Sequence, residues 1–113
     1  MALKFFKTFE KDSLADGGTY EDSWVIDQDV VIRRIYIRAK DGTELNNSTF
    51  YFKISENVYT HSVVPAGVLG ESRNVSPELN IPFNKGEKLS FTFKNNEGAT
   101  KSIFICFECV EKE

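Results

Sequence analysis

Strict alternation of apolar and polar residues at two places restricts the fold of this chain more than any other feature. From Thr49 to Ser55 and from Lys88 to Lys94, every second residue is Phe, Ile or Leu. Because successive side chains of a strand point to opposite faces, this pattern is typical of strands with one buried face. A helix would need apolar residues three and four positions apart, and no segment of ten or more residues shows that period. The chain is therefore expected to consist of strands.

Composition supports the same fold class. Val, Ile, Phe, Tyr and Trp, which suit a pleated and half-buried surface, together number 32, whereas Leu, Ala and Met number 12. Further strands are expected at Leu3–Phe9, Tyr20–Ile26, Val30–Ile37, Val58–Val64, Leu79–Phe83 and Ile103–Phe107. Turn residues separate them at Asp16–Gly18, Asp41–Gly42, Asn84–Gly86 and Asn95–Gly98. We predict an all-β fold, an antiparallel β-sandwich of about eight strands in one domain spanning residues 1–113.

Two of the expected strands are apolar on both faces, namely Val30–Ile37 and Ile103–Phe107. The Arg33-Arg34 pair interrupts the alternation in the first of them and predicts a β-bulge. A strand with two apolar faces is either central in its sheet, with its outer face covered, or part of a subunit interface. Pro82, in contrast, predicts an edge strand, because proline has no N–H to donate to a neighbour.

Charge and hydropathy exclude two classes of partner. The formal net charge of −3 provides no basic field for nucleic acid. The longest uncharged stretch, Tyr59–Gly70, is interrupted by Pro65 and is too short and too polar to span a membrane. The first residues lack the apolar core and cleavage site of a signal peptide, which predicts synthesis in the cytoplasm and leaves the final location open.

No arrangement of residues predicts catalysis, a metal site or a cofactor. His61 is the only histidine, and no serine lies in a nucleophile-elbow context. No glycine-rich phosphate-binding motif occurs either. Four acidic residues surround Gly17-Gly18 and could supply oxygen ligands to calcium, as loops of some β-sandwich lectins do, but their spacing matches no EF-hand and is common in solvated loops. We therefore predict that the protein is not an enzyme.

Cys106 and Cys109 are predicted to be free and mostly buried thiols. In an extended strand, a separation of three residues places their Cα atoms about 10 Å apart, with the side chains on opposite faces. That distance is beyond the reach of a disulfide. A zinc site would need further ligands that the sequence does not supply nearby.

The residues with the best case for a protein interface lie on the two doubly apolar strands and in one long irregular segment. This segment, Pro65–Pro77, carries an apolar tip flanked by glycines, and loops of this length are often functional. The alternative is a crossover that folds back onto the sandwich. The candidate interface residues are Tyr36, Val68, Leu69, Arg73 and Phe104.

Aromatic residues with a polar group suggest a second kind of site. Tyr and Trp combine a flat apolar face with a hydrogen-bonding group, which suits stacking on sugar rings. The candidates for such stacking are Tyr20, Trp24, Tyr51 and Tyr59. The alternative is that these rings are simply packed against a Phe-rich core.

The order of these features resembles that of small jelly-roll proteins of virions, including capsid-decorating, fibre and spike modules. The similar features are the strand Val30–Ala39, the crossover at Pro65-Ala66-Gly67, and the segment Lys85–Phe93 followed by a Phe-rich last strand. The resemblance covers most of the chain and implies a jelly-roll topology, although an immunoglobulin-like topology gives a similar strand count.

Two hypotheses for function follow. The first is a non-enzymatic structural or assembly protein, such as a component of a virus or phage particle, that forms a homo-oligomer or binds other structural proteins. The second is a carbohydrate-binding module with a glycan as its partner. The first predicts a multimer in solution, whereas the second predicts exposed, coplanar aromatic rings.

Overall fold

The described part of the chain is built entirely from β-strands. A computed structural model of the protein describes residues 4–43, 45, 47–55, 57–58, 64–65 and 78–112. Its strands are β1 (Lys4–Leu14), β2 (Thr19–Val25), β3 (Val30–Ala39), β4 (Thr49–Ile54), β5 (Asn57–Val58), β6 (Val64–Pro65), β7 (Ile81–Phe83), β8 (Lys88–Lys94) and β9 (Lys101–Glu111). The predicted all-β class is thus confirmed.

The strand count differs from the prediction. Seven of the described strands have three residues or more, and β5 and β6 have two residues each. The predicted strand Val58–Val64 lies mostly outside the described residues, and only its two ends are seen, each pairing with β4.

The strands form two antiparallel sheets. Sheet A has the order β1-β9-β3-β7, and sheet B has the order β2-β8-β4-β5, with β6 also paired to β4. β9 and β3, the two strands with doubly apolar sequences, occupy the central positions of sheet A. β7 lies at the edge of the same sheet, and Pro82 in it is exposed, as predicted.

Aromatic rings join the inner faces of the two sheets in a sandwich-like packing. The ring of Phe91 in sheet B lies 5.0 Å from that of Phe9 and 6.1 Å from that of Phe107, both in sheet A. Trp24 of β2 contacts Phe83 of β7, with 5.1 Å between the ring centroids. Edge-to-face and tilted contacts of this kind add about 0.5–1.5 kcal/mol per pair to the free energy of burial.

The predicted turns and the predicted bulge are present. Gly17 and Gly86 have φ values of 80° and 87°, which residues with a Cβ rarely adopt. Opposite β9, the register of β3 passes from Ile32, which faces Cys109, directly to Arg34, which faces Glu108. Arg33 is therefore the extra residue of a bulge, and the side chain of Arg34 points away from the core.

Phe91 provides a test of the packing between the sheets. Phe91→Ala removes a ring that contacts both sheets, so we expect a loss of about 3–5 kcal/mol in the free energy of unfolding. Ser90→Ala, on the opposite face of the same strand, should change it by less than about 0.5 kcal/mol. Urea denaturation measures both values, and similar losses for the two variants would contradict this packing.

Candidate interaction surface

The outward-facing residues of sheet A form a surface that we call the outer A face. Alternate residues of β1, β9 and β3, together with Pro82, make up this face. They are Lys4, Phe6, Thr8, Glu10 and Asp12 on β1, Ser102, Phe104, Cys106, Glu108 and Val110 on β9, and Val31, Arg34, Tyr36 and Arg38 on β3. The register aligns them in rows across the sheet, such as Phe6–Glu108–Arg34 and Glu10–Phe104–Arg38.

The outer A face carries several apolar side chains that are exposed or partly exposed. Phe6 is 56% exposed, and Tyr36, Phe104 and Val110 beside it are partly exposed. The corresponding face of sheet B, the outer B face, is mainly polar in its three longest strands. It consists of Thr19, Glu21, Ser23 and Val25 on β2, Lys88, Ser90, Thr92 and Lys94 on β8, and Thr49, Tyr51 and Lys53 on β4. The two outer faces of the sandwich therefore differ in chemistry.

A buried carboxylate lies at the centre of the outer A face. The side chain of Glu108 is only 1% exposed, although it points away from the core. Arg34 donates to its Oε2 at 3.0 Å, Tyr36 donates to its Oε1 at 2.8 Å, and Lys4 Nζ lies 3.5 Å from Oε1. Charge-assisted hydrogen bonds of this kind hold a buried carboxylate in a fixed position. Among the described residues, Arg34 Nε is a buried side-chain atom with no hydrogen-bond partner.

A second group of charges lies further along the same face. Lys40 Nζ lies 2.6 Å from Asp12 and 2.9 Å from Glu10, and it lies 4.8 Å from the centre of the Phe104 ring. The hydrogen bonds to Asp12 and then to Glu10 raise the pKa of Lys40. Arg38, at the opposite margin of the face, is exposed and forms no ion pair with the residues that the structure describes.

The two cysteines lie on opposite faces of β9, as predicted, and both are free. Cys106 belongs to the outer A face, where the Thr8 hydroxyl donates to its sulfur at 3.4 Å. Burial raises the pKa of Cys106, and the hydrogen bond from Thr8 partly opposes that effect. Cys109 is fully buried in the core, and burial raises its pKa to about 12. Cys106 is therefore the more accessible thiol.

The structure brings together two of the predicted interface residues. Tyr36 and Phe104 both lie on the outer A face, in adjacent rows. Val68, Leu69 and Arg73 lie outside the described residues. Phe6, Arg34 and Glu108 lie on the same face but were not among the predicted interface residues. The sequence does mark Glu108, because it is the single acidic residue within the apolar run Ile103–Val110. A charged residue in such a run indicates a partner of opposite charge.

The predicted stacking residues do not share a surface. Tyr20 and Trp24 point inward from β2, and their rings pack against Phe91 and Phe83 respectively. Burial, and then the hydrogen bond that Tyr20 donates to Asp22, raise the pKa of Tyr20 to about 12. Tyr51 lies on the outer B face, and Tyr59 is outside the described residues. Packing in the core accounts for two of these four rings.

The described residues offer little else that resembles a reactive site. They contain no group of three or more His, Cys, Asp and Glu side chains that could hold a metal ion. A shallow depression of about 440 Å³ lies over β2 and β8, lined by Glu21, Asp22, Ser23, Ser90, Phe91 and Thr92. It is open to solvent, and Asp22 in it already accepts hydrogen bonds from Tyr20 and from the backbone of Ser23. His61 lies outside the described residues.

In the described ranges, no helix has the length and apolar character needed to cross a membrane. Comparison with known proteins gives no match to a family model, to a curated protein or to a solved structure.

The Glu108 cluster can be tested through stability. Glu108→Gln leaves Arg34 and Lys4 beside a neutral group in a buried position, so we expect a loss of about 2–3 kcal/mol in the free energy of unfolding. Glu78→Gln is the control, because Glu78 also contacts Arg34, at 3.8 Å, but is 63% exposed. It should cost less than about 1 kcal/mol. If urea denaturation gave equal losses of unfolding free energy for the two variants, the burial of Glu108 would not be what makes its ion pairs stabilising.

The thiols give a chemical test of the two faces of β9. In dilute native protein at pH 8, we expect Ellman's reagent to modify one thiol per chain, Cys106, more slowly than free cysteine. Both thiols should react in guanidinium chloride, because unfolding exposes Cys109. Cys106→Ser should abolish the native reaction. Equal modification of both thiols in the native protein would contradict the placement of Cys109.

Proposed function

We propose that this protein is a non-enzymatic structural or assembly protein that acts by self-association through the outer A face. The observation that carries the proposal is the contrast between the two outer faces. A polar face is expected on any solvated sheet, whereas exposed aromatic side chains on a sheet face are typical of contact surfaces. Phe6, at 56% exposure, is the clearest of these on the outer A face.

The pairing of the strands supports a jelly-roll topology for this protein. β1 pairs with β9, β2 with β8, β3 with β7, and β4 with β5 and β6, so that the pairs are nested. Successive pairs alternate between sheet A and sheet B. One long antiparallel hairpin folded over itself produces this arrangement, which is the basis of the jelly roll.

The composition of the outer A face supports association with protein rather than with nucleic acid or a reactive small molecule. Its central charges are neutralised within the chain, because Glu108 contacts both Arg34 and Lys4. Around these charges, Phe6, Phe104, Tyr36 and Val110 add exposed or partly exposed apolar groups, and aromatic residues are enriched in protein interfaces. Burying Phe6 alone would stabilise a complex by about 1–2 kcal/mol per copy.

A role as a component of a virus or phage particle fits this mode of action. Most soluble homo-oligomers are symmetric, and a twofold interface uses the same surface patch on both subunits. The resemblance of the chain to small jelly-roll proteins of virions points the same way. We propose Val68, Leu69 and Arg73 of the long segment as further contacts to other structural proteins of such a particle.

Mass measurement in solution tests self-association. Light scattering coupled to size-exclusion chromatography, followed by sedimentation equilibrium, should give an average mass above the 12.9 kDa of one chain as the concentration rises. Phe6→Ser should raise the dissociation constant about tenfold or more, since about 1.4 kcal/mol corresponds to a factor of ten. Val25→Ser is the matched control, because Val25 is 62% exposed but lies on the outer B face.

Val25→Ser should leave the association unchanged. A wild-type chain that stays strictly monomeric at high micromolar concentration would overturn the proposal. An association that Val25→Ser weakens as much as Phe6→Ser would show that the outer A face is not the contact surface.

A further inference from the structure

We propose that two copies of this chain pack outer A face against outer A face, about a twofold axis that lies between the sheets and parallel to β9. In this arrangement Glu10 of each copy lies opposite Arg38 of the other. The inference rests on the proposed function, and it adds the partner, the orientation and the residue pairs that determine the orientation.

The charges of one row provide the main argument. Glu10 on β1, Phe104 on β9 and Arg38 on β3 face one another across the sheet. The row is thus acidic at one margin, apolar in the middle and basic at the other margin. A twofold axis along the central strand exchanges the two margins while it keeps every row opposite itself. Each copy would then contribute one Glu10 and one Arg38 to two identical contacts.

The acidic margin is more negative than Glu10 alone suggests. Asp12 lies on the same strand, and Lys40 is the only cation that contacts either carboxylate among the described residues. Two carboxylates and one ammonium leave a net negative charge at this margin. Arg38 brings a positive charge at the other margin, and it forms no ion pair within the described ranges. The charge of each margin is therefore complementary to that of the opposite margin, and two copies of the same margin would repel each other.

The alternative face-to-face orientation lacks this complementarity. With a twofold axis perpendicular to the strands, each margin of one copy would face the same margin of the other copy. The rows on either side of the Cys106 row would then face each other. Arg38 would then lie opposite Arg34 of the other copy. Both arginines point to the outer A face, and Tyr36 lies midway between them along β3. Like charges in opposition across an interface are unfavourable.

A second row favours the same axis. Phe6, Glu108 and Arg34 face one another across the sheet. Exchange of the margins places the exposed ring of Phe6 opposite the guanidinium of Arg34 in the other copy. Stacking of a guanidinium on an aromatic ring is favourable, and Arg34 is already held in place by Glu108. The two most unusual features of the face, an exposed Phe and a rigid Arg, thereby become partners.

The size of the face indicates a weak complex. From Lys4 to Asp12 the face is about 27 Å long, and it is about 15–19 Å wide, so that contact would bury about 1,000 Å² in total. This value lies at the lower limit for specific interfaces, and we expect a dissociation constant on the order of 10–100 µM. An extended assembly would need other contacts in addition.

Charge reversal tests the orientation. Glu10→Arg and Arg38→Glu, each alone, should weaken the self-association measured by sedimentation equilibrium about tenfold or more, because each produces two like-charge contacts. The double variant Glu10→Arg/Arg38→Glu should restore it to within about threefold of the wild type. Glu21→Arg, on the outer B face, is the control and should have no effect. Circular dichroism verifies that each variant is folded.

Mixing gives the sharpest result. Wild type and the double variant should each associate with themselves but not with each other, since a mixed pair would oppose Glu to Glu and Arg to Arg. Single variants that associate normally, or a double variant that is not restored, would overturn the inference while leaving self-association intact. A monomeric wild type would instead overturn the proposed function itself.

Cys106 provides an independent test of face-to-face contact. It lies on the central strand and in the middle row, so that the Cα atoms of the two Cys106 residues would lie opposite each other, about 10 Å apart, with the sulfur atoms closer together because both side chains point into the interface. A short bis-maleimide should give a covalent dimer, and Cys106→Ser should give none. An associating wild type that yields no such dimer would overturn the face-to-face arrangement.

Discussion

The contact of Phe91 with Phe9 and Phe107 is the interaction on which the rest of this structure depends. It joins the inner faces of the two sheets, with ring separations of 5.0 and 6.1 Å. Since side chains alternate along every strand, a ring fixed in the core also determines which neighbours point outward. The outer A face therefore follows from the packing of the core, and a register slip of one residue would remove it.

The bulge at Arg33 has a similar effect on a smaller scale. In a regular strand that contained both arginines, Arg34 would point into the core, and its charge would lie among Phe and Ile side chains. The bulge turns it outward instead, opposite Glu108. Arg34 and Tyr36 then both reach the carboxylate, at 3.0 and 2.8 Å. The bulge thus accommodates two consecutive arginines in a strand whose inner face is apolar, with Arg34 in an ion pair on the outer face.

Much of the fold could be predicted from local patterns, whereas the Glu108 cluster on the outer A face could not. Period two located β4 and β8, and glycines located the turns, because these signals depend on residues close in sequence. The Glu108 cluster instead needs Lys4, Arg34 and Glu108 on three strands, and their registers are set by packing at long range. Tyr20 and Trp24 have the right residue types for stacking on sugar rings. Their positions in the alternation of β2, however, direct both rings inward. Residue type alone could not reveal that direction.

The edges of the sandwich favour association through a face. β1 and β2 are edge strands of 11 and 7 residues, long enough to pair with strands of another copy. Lys7 and Asp22, however, are charged residues on the inward-facing side of these edges, a device that discourages edge-to-edge pairing. Lys7 Nζ also lies over the Phe9 and Trp24 rings, at 5.4 and 5.8 Å from their centres. Continuation of either sheet into a second copy would bring these charges together, whereas contact through the outer A face leaves both edges in solvent.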